Sequence, residues 1–339
     1  MPIDSIKVGI DSFVQLSQGQ SPAERAAHLL EEIELADRVG IHTFGIGEHH
    51  RAEYLASTPE IFLAAAASRT KNIRLASAVT VLSSSDPVRI FENFATVDLI
   101  SNGRAEIVVG RGSFVESFPL FGYDLNHYDE LFAEHLDLLL KLREQVNVYW
   151  DGKHRASLTG QGVYPRPVQT PLPVRLGVGG TPNSFVRAGM LGLPLTVAII
   201  GGEPHRFRPL VDLYRESWKR AGHAGEPDVA VHGLGFLADT TEEAADIQWP
   251  GYQMTFSKIG AERGWGPTTR AAFDAQRGPT GAFLIGDAAT VAAKIRHYDE
   301  ALGGLSRVGI HMSGGNIPHD KQMRAIEILG TQVLPLLKH

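Results

Sequence analysis

Residues 102–113 read NGRAEIVVGRGS, and how this stretch is read decides the fold. A largely apolar run, 105–109, broken only by Glu106, leads straight into Gly110-Arg111-Gly112-Ser113. Apolar runs of that length bounded by glycine read as buried parallel strands. Gly110 and Gly112 carry no Cβ, so a flat ligand or a phosphate can come close to the backbone. Arg111 sets a permanent, fork-shaped cation between them. The same residues also fit a tight strand-to-loop turn with a surface arginine, so the flanking stretches must decide.

Upstream, Asp86-Pro87 caps a helix to about residue 100, and Asn102-Gly103 turns into the strand. Before that helix, 73–82 (IRLASAVTVL) reads as a strand leaving into Ser83-Ser84-Ser85. Thr58-Pro59 opens a helix to about residue 69. Residues 43–47 form a strand ending at Glu48-His49-His50. Residues 22–39 form a helix with Ser21 as N-cap and Gly40 as its stop, and 6–11 is the first strand. Downstream, an aromatic-rich loop at 114–123 precedes a long helix over 126–148. Residues 149–173, with four prolines, read as an excursion and fit a hairpin. Strands follow at 174–178, 194–200, 229–237 and 307–312. Helices start at Pro182, near 207, at Thr240-Thr241, at Asp287 and at His319. Residues 248–281 fit no alternation and read as an insertion, a lid after the seventh strand.

Eight strand–helix units imply a parallel sheet, closed as a (β/α)8 TIM barrel in a single domain over 1–339. No G-x-G-x-x-G follows the first strand, which weighs against a dinucleotide-binding fold.

The chain has 339 residues, 43% hydrophobic and 21% charged, with net charge −6. That composition is ordinary for a globular protein and offers nucleic acid no basic surface. No run is long and apolar enough for a membrane span, and MPIDSIKVGID is not a secretory signal; the expected location is cytoplasmic. The absence of cysteine excludes disulfides, thiolate metal sites and cysteine nucleophiles.

Active sites of such barrels lie at the C-terminal ends of the strands. Those ends carry Asp11 and Phe13; Glu48, His49 and His50; Ala78, Val79 and Thr80; Gly110, Arg111 and Ser113; Gly179, Gly180 and Thr181; Gly201 and Gly202; and Ser313, Gly314 and Gly315, with His232 on the seventh strand. So many small exits imply a wide cavity for a large planar ligand. Gly179-Gly180-Thr181-Pro182-Asn183-Ser184 runs from a strand into a helix, and with Arg111 it would hold a phosphate; a plain loop with Thr181 as N-cap fits the same residues. His49 and His50 alternate sides on a strand, so they cannot easily share an ion, and no metal site is expected. One should face the barrel mouth, where imidazole can move a proton near neutral pH, and the other should pack behind it. A buried structural pair fits too. His232, His311 and His319 are weaker candidates.

These residues resemble the bacterial-luciferase-like flavin monooxygenases over nearly the whole chain. The resemblance rests on GIGEHH (45–50), SAVTVLSSSDPVR (77–89), SNGRAEIVVGRG (101–112), GGTPNSFVRAGMLGLP (179–194), GDAATVAAKI (286–295) and VLPLL (333–337). It implies a (β/α)8 barrel binding FMN, as reduced flavin delivered by a separate reductase. It also implies a flavin 4a-hydroperoxide that oxygenates a small organic substrate, and a homodimer. By the same resemblance, His49 falls on the family's catalytic histidine, and Ala78-Val79 on a non-proline cis peptide under the flavin ring. Gly110 and Arg111 fall at the ring and phosphate side, and Gly179, Gly180, Thr181 and Ser184 on the phosphate loop. Luciferase has a reactive cysteine where this chain has Gly110, and a second phosphate-binding arginine is replaced near Tyr128-Asp129. The expectation is therefore an oxidoreductase of this family rather than a luciferase. Two alternatives stay open: a dehydrogenase using the deazaflavin F420, whose acidic tail would need more basic residues at the rim than Arg51, and a non-catalytic flavin-binding homologue. Substrate specificity should lie at Gly201-Gly202 and in 248–281.

Overall fold

The computed structural model describes residues 6–112 and 114–338; Ser113, expected at the fourth strand's exit, lies outside them. Eight parallel strands close on themselves: β1 (Lys7–Ser12), β2 (Thr43–Ile46), β3 (Arg74–Ser77), β4 (Ala105–Gly110), β5 (Val174–Val178), β6 (Leu195–Ile199), β7 (Val229–Leu237) and β8 (Arg307–His311). Each pairs with its chain neighbours, and β8 returns to β1 with Lys7 opposite Arg307 and Asp11 opposite His311. The chain is a (β/α)8 barrel. Among the described residues, no helix is long and apolar enough to cross a membrane.

The helices start where side chains satisfy their free N–H groups. Ser21 accepts from Glu24, Asp86 from Val88 and Arg89, and Asp287 from Thr290. Asn102 ends the helix Pro87–Ser101 at φ +54°, and Gly103 at φ +87° completes the turn into β4. Helix faces and strands share one core that buries Phe44, Phe91, Phe94, Phe185 and Phe236 completely. Burial of each such ring contributes about 1.5–3 kcal/mol.

The third strand is interrupted. After Ser77 the Ala78–Val79 peptide is cis, Thr80–Val81 resumes pairing with β4, and Leu82–Ser84 forms one 3₁₀ turn. The long helix stops earlier than its periodicity suggests, spanning Tyr128–Glu144. Asn147–Trp150 and Leu158–Gly162 then form the expected antiparallel hairpin. Residues 248–281 are more regular than their composition implies. The helix that begins at Thr241 runs through Pro250 to Arg263, and a second covers Arg270–Arg277. Leu284–Gly286 adds a short strand beside β7.

The two ends of the barrel differ in chemistry. At the N-terminal end, Arg307 reaches across the interior to Glu106 with bonds of 2.7 and 3.0 Å. Burial acts to raise the Glu106 carboxyl, but the Arg307 guanidinium holds it below the usual range. Arg175 forms a second fork on Asp228, at 2.8 and 2.9 Å. The C-terminal end opens into a cavity.

Candidate active site

The cavity occupies about 610 Å³, within the roughly 300–1,000 Å³ typical of cofactor and ligand sites. Thr80, Gly202 and Gly315, also at strand exits, do not line it, while its wall includes His49, Ala78, Val79, Gly110, Arg111, Gly179, Gly180, Thr181 and Ser184. They fall into two regions, one with a guanidinium and open glycines, the other with imidazoles and aromatic rings.

In the first region Arg111 leaves the end of β4 and donates to Asp129 at 2.5 Å and to the Thr181 hydroxyl at 3.4 Å. Its guanidinium also lies 5.3 Å from the Tyr128 ring centre. Thr181 precedes the helix Pro182–Met190 but makes no capping bond with its side chain. The hydroxyl turns to Arg111 instead of closing the helix; Pro182 carries no N–H, and the Ser184 N–H donates to the Thr181 carbonyl at 3.0 Å. A Cβ added at Gly179 or Gly180 would meet nothing within 4 Å, so the backbone there borders open space. Arg187, one helical turn after Ser184, lies close enough to Arg111 to feel its charge.

Gly110 differs from the sequence reading. A Cβ there would lie 2.8 Å from Val79 Cγ2, and one at Gly177 2.8 Å from Val79 Cγ1. The two glycines grip the Val79 side chain just past the cis bond, so Gly110 makes room for Val79 before it makes room for a ligand. Glu48 holds the other side. Its carboxylate accepts from the Val81 N–H at 2.8 Å and pairs with His50 Nε2 at 2.9 Å.

In the second region His49 sits among Phe13, Tyr54 and Phe114, with ring centres at 4.5, 4.4 and 5.2 Å. Burial, and then the neighbouring His50 and Arg51, push its pKa down to about 3, so the imidazole is neutral at physiological pH. Its Nε2 is buried without a partner among the described residues. A buried orphan nitrogen on a cavity wall fits a ligand that completes it. His50 also borders the cavity, although one histidine was expected to pack behind. The reason is that β2 ends at Ile46, so strand alternation no longer governs positions 49 and 50.

Sequence reading did not join Asp11 to His232. Asp11 Oδ2 lies 2.6 Å from His232 Nδ1 in the barrel interior. Gly45 and Gly309 give the carboxylate its room, since a Cβ there would approach its oxygens to 2.1 and 2.6 Å. A carboxylate accepts only, so Nδ1 donates and Nε2 is the atom left to the cavity. His311 is fully buried, 4.1 Å from the Phe13 ring, and burial holds it neutral. His319 lies outside the site, stacked on His28 and paired with Glu31.

The helix Thr241–Arg263 covers the cavity with Tyr252, Phe256 and Ile259, and Trp265 follows it. Gly251 of this helix rests directly on Gly315; a Cβ at 251 would lie 2.3 Å from the Gly315 carbonyl oxygen. Arg51 ties the cover down, pairing with Glu262 at 2.5 Å and Glu116 at 2.9 Å above the Phe114 ring.

Residues 6–304 match the model of the luciferase-like monooxygenase family. The chain belongs to that family. It is therefore an oxidoreductase of the monooxygenase type. The oxygenase component of a flavin-dependent trigonelline monooxygenase from Acinetobacter baylyi is 24% identical over 237 residues, 68% of this chain and 64% of that protein. The oxygenating constituent of 3,6-diketocamphane monooxygenase from Pseudomonas putida, solved with FMN, superposes with a TM-score of 0.79 at 20% identity over 97% of this chain and 98% of that one. An F420-dependent secondary alcohol dehydrogenase superposes at 0.77 with 16% identity over the full length of both. The likeness to these structures is one of fold. The structural neighbours of this chain thus include one solved with FMN and one that is F420-dependent.

Proposed function

We propose that this luciferase-like monooxygenase uses reduced FMN, supplied by a separate reductase, and dioxygen to oxidise a small, largely apolar organic molecule. The observation that carries this reading is the Arg111–Thr181 pair beside the open Gly179-Gly180 backbone, with a neutral histidine at the other side of the same cavity. The first is a phosphate cradle and the second borders the space for a flat ring. Arg111, Thr181, Ser184 and the glycine backbone would hold the phosphate. Ala78, Val79 and Gly110 would lie against the ring. Bound there, reduced FMN supplies the two electrons that let one atom of dioxygen enter the substrate and the other leave as water.

The chain's own residues do the rest. His49 stays neutral, so its Nε2 can donate or accept one hydrogen bond, according to tautomer, and orient a group bound in the cavity. The aromatic cover of Phe114, Tyr252, Phe256 and Trp265 excludes water and favours an apolar substrate. In this reading residues 1–339 work as one domain with 248–281 as its cover. A homodimer, which the family resemblance implies, belongs to the same reading.

F420 is the second reading, favoured by the dehydrogenase neighbour's fold. Its acidic tail needs basic groups at the rim, and Arg51 is already engaged by Glu116 and Glu262. Titration of the protein with oxidised FMN, reduced FMN and F420 under anaerobic conditions separates the two. Saturable binding of reduced FMN at micromolar concentration is expected; binding of F420 alone would overturn the proposal.

A further inference from the structure

Away from the cavity, three side chains on the flank of the barrel make a separate ligand set. His127 directly precedes the helix Tyr128–Glu144, Glu130 lies in its first turn, and His154 sits in the hairpin loop between Trp150 and Leu158. His127 Nδ1 lies 3.6 Å and His154 Nε2 3.1 Å from the same oxygen, Glu130 Oε2. The three donor atoms all fall within 4.8 Å of one another. With metal–nitrogen and metal–oxygen bonds of roughly 2.0–2.2 Å, neighbouring ligands of a tetrahedral zinc ion stand about 3.3 Å apart. The observed separations bracket that spacing.

The backbone, rather than chance surface packing, sets this geometry. Glu134, one turn after Glu130, accepts the N–H groups of Lys153 at 2.7 Å, His154 at 3.0 Å and Arg155 at 3.0 Å. Arg155 Nε bonds Asp86 at 2.9 Å, which anchors the far side of the loop. Gly152 lets the loop come in this close, because a Cβ there would lie 2.1 Å from the Trp150 ring and 2.4 Å from Glu134 Oε1. His154 is therefore presented to Glu130 by a loop bolted to the helix. Lys153 Nζ lies 2.6 Å from Glu130 Oε2. It is a long, exposed side chain that can swing into solvent.

We propose that His127, Glu130 and His154 bind a divalent ion of the zinc class, and that the Lys153 ammonium is its displaceable stand-in. Two imidazoles and one carboxylate suit Zn²⁺, Co²⁺ or Ni²⁺ and not Ca²⁺ or Mg²⁺, which prefer all-oxygen sets. The ion would pin the hairpin loop to the first turn of the helix. That turn also carries Asp129, the partner of Arg111 at the cavity rim. The site is independent of which flavin the cavity takes.

The test uses full-length, tag-free protein stripped with chelator and titrated with ZnCl₂ by calorimetry, and with CoCl₂ by visible absorption. One equivalent should bind at micromolar metal, with a tetrahedral cobalt spectrum and a rise in Tm. His154→Gln and Glu130→Gln should each weaken binding by about tenfold or more, with the fold unchanged by circular dichroism. Both substitutions should leave FMN titrations unaltered, which keeps this outcome separate from that of the flavin reading. Absence of saturable binding up to millimolar zinc would overturn the proposal. So would one-to-one binding that neither substitution weakens.

Discussion

At the scale of single residues, two side chains carry most of the proposed chemistry. Arg111 is the cation of the proposed phosphate cradle, and it is already shared with Asp129 and Thr181. Replacing it by alanine removes charge-assisted bonds of about 1.5–3 kcal/mol, so affinity for reduced FMN should fall roughly 10- to 150-fold. Asp129→Asn should act in the opposite direction, by releasing the guanidinium. Fluorescence titration of both variants checks the pair; unchanged affinity in Arg111→Ala would move the phosphate elsewhere. His49 makes a different prediction. Its folded pKa of about 3 lies below the ordinary 6.5, so the unfolded chain takes up a proton that the folded chain refuses. The stability this represents is complete above pH 6.5 and is lost as pH falls from there toward 3. His42, lowered to about 4, and His311 act in the same sense. Urea unfolding at a series of pH values should show His49→Gln flattening this acid slope by up to about 1.4 kcal/mol per pH unit. The same reasoning predicts no His49 titration in pH–rate profiles above pH 4.

At the scale of elements, the grip on Val79 sets the shape of the cavity floor. Gly177→Ala would drive a methyl into Val79 Cγ1 and should cost about 1–3 kcal/mol in thermal or urea unfolding. Adding Val79→Ala should recover most of that loss, whereas an equal loss in the double variant would place the clash elsewhere. The elements themselves were largely legible in the sequence, because most barrel strands are largely apolar runs and several of them end in small residues. The cis Ala78–Val79 bond followed only from the family resemblance, since the alternation of 73–82 continues through it. The helix end at Glu144 was hidden because Val146 and Val148 extend the helical period while belonging to the hairpin region. Pro250 and the scattered glycines of 248–281 disguised a helix whose interior tolerates a missing N–H. Gly177 carried a usable signal, being a glycine inside a strand where another side chain approaches. The Asp11–His232 pair carried none, for the partners stand 221 positions apart and meet only once the barrel closes.

At the scale of the whole molecule, the barrel separates stability from function along its axis. The Glu106–Arg307 pair is buried and doubly bonded, so Glu106→Gln should destabilise the fold by about 3–5 kcal/mol in urea unfolding. Exchanging both partners for apolar residues of similar volume should cost much less, and a similar loss in both cases would argue that the pair is itself the source of stability. Such substitutions should leave the cradle at Arg111 in place, because it stands at the opposite end. The contact of Gly251 with Gly315 bears on how this enzyme can be re-tailored. Main chain meets main chain there, so that part of the wall has no side chain to trim. A roomier cavity for a bulkier substrate has to be carved at Tyr252, Phe256 or Trp265, while any residue larger than glycine at 251 would lift the covering helix off its seat.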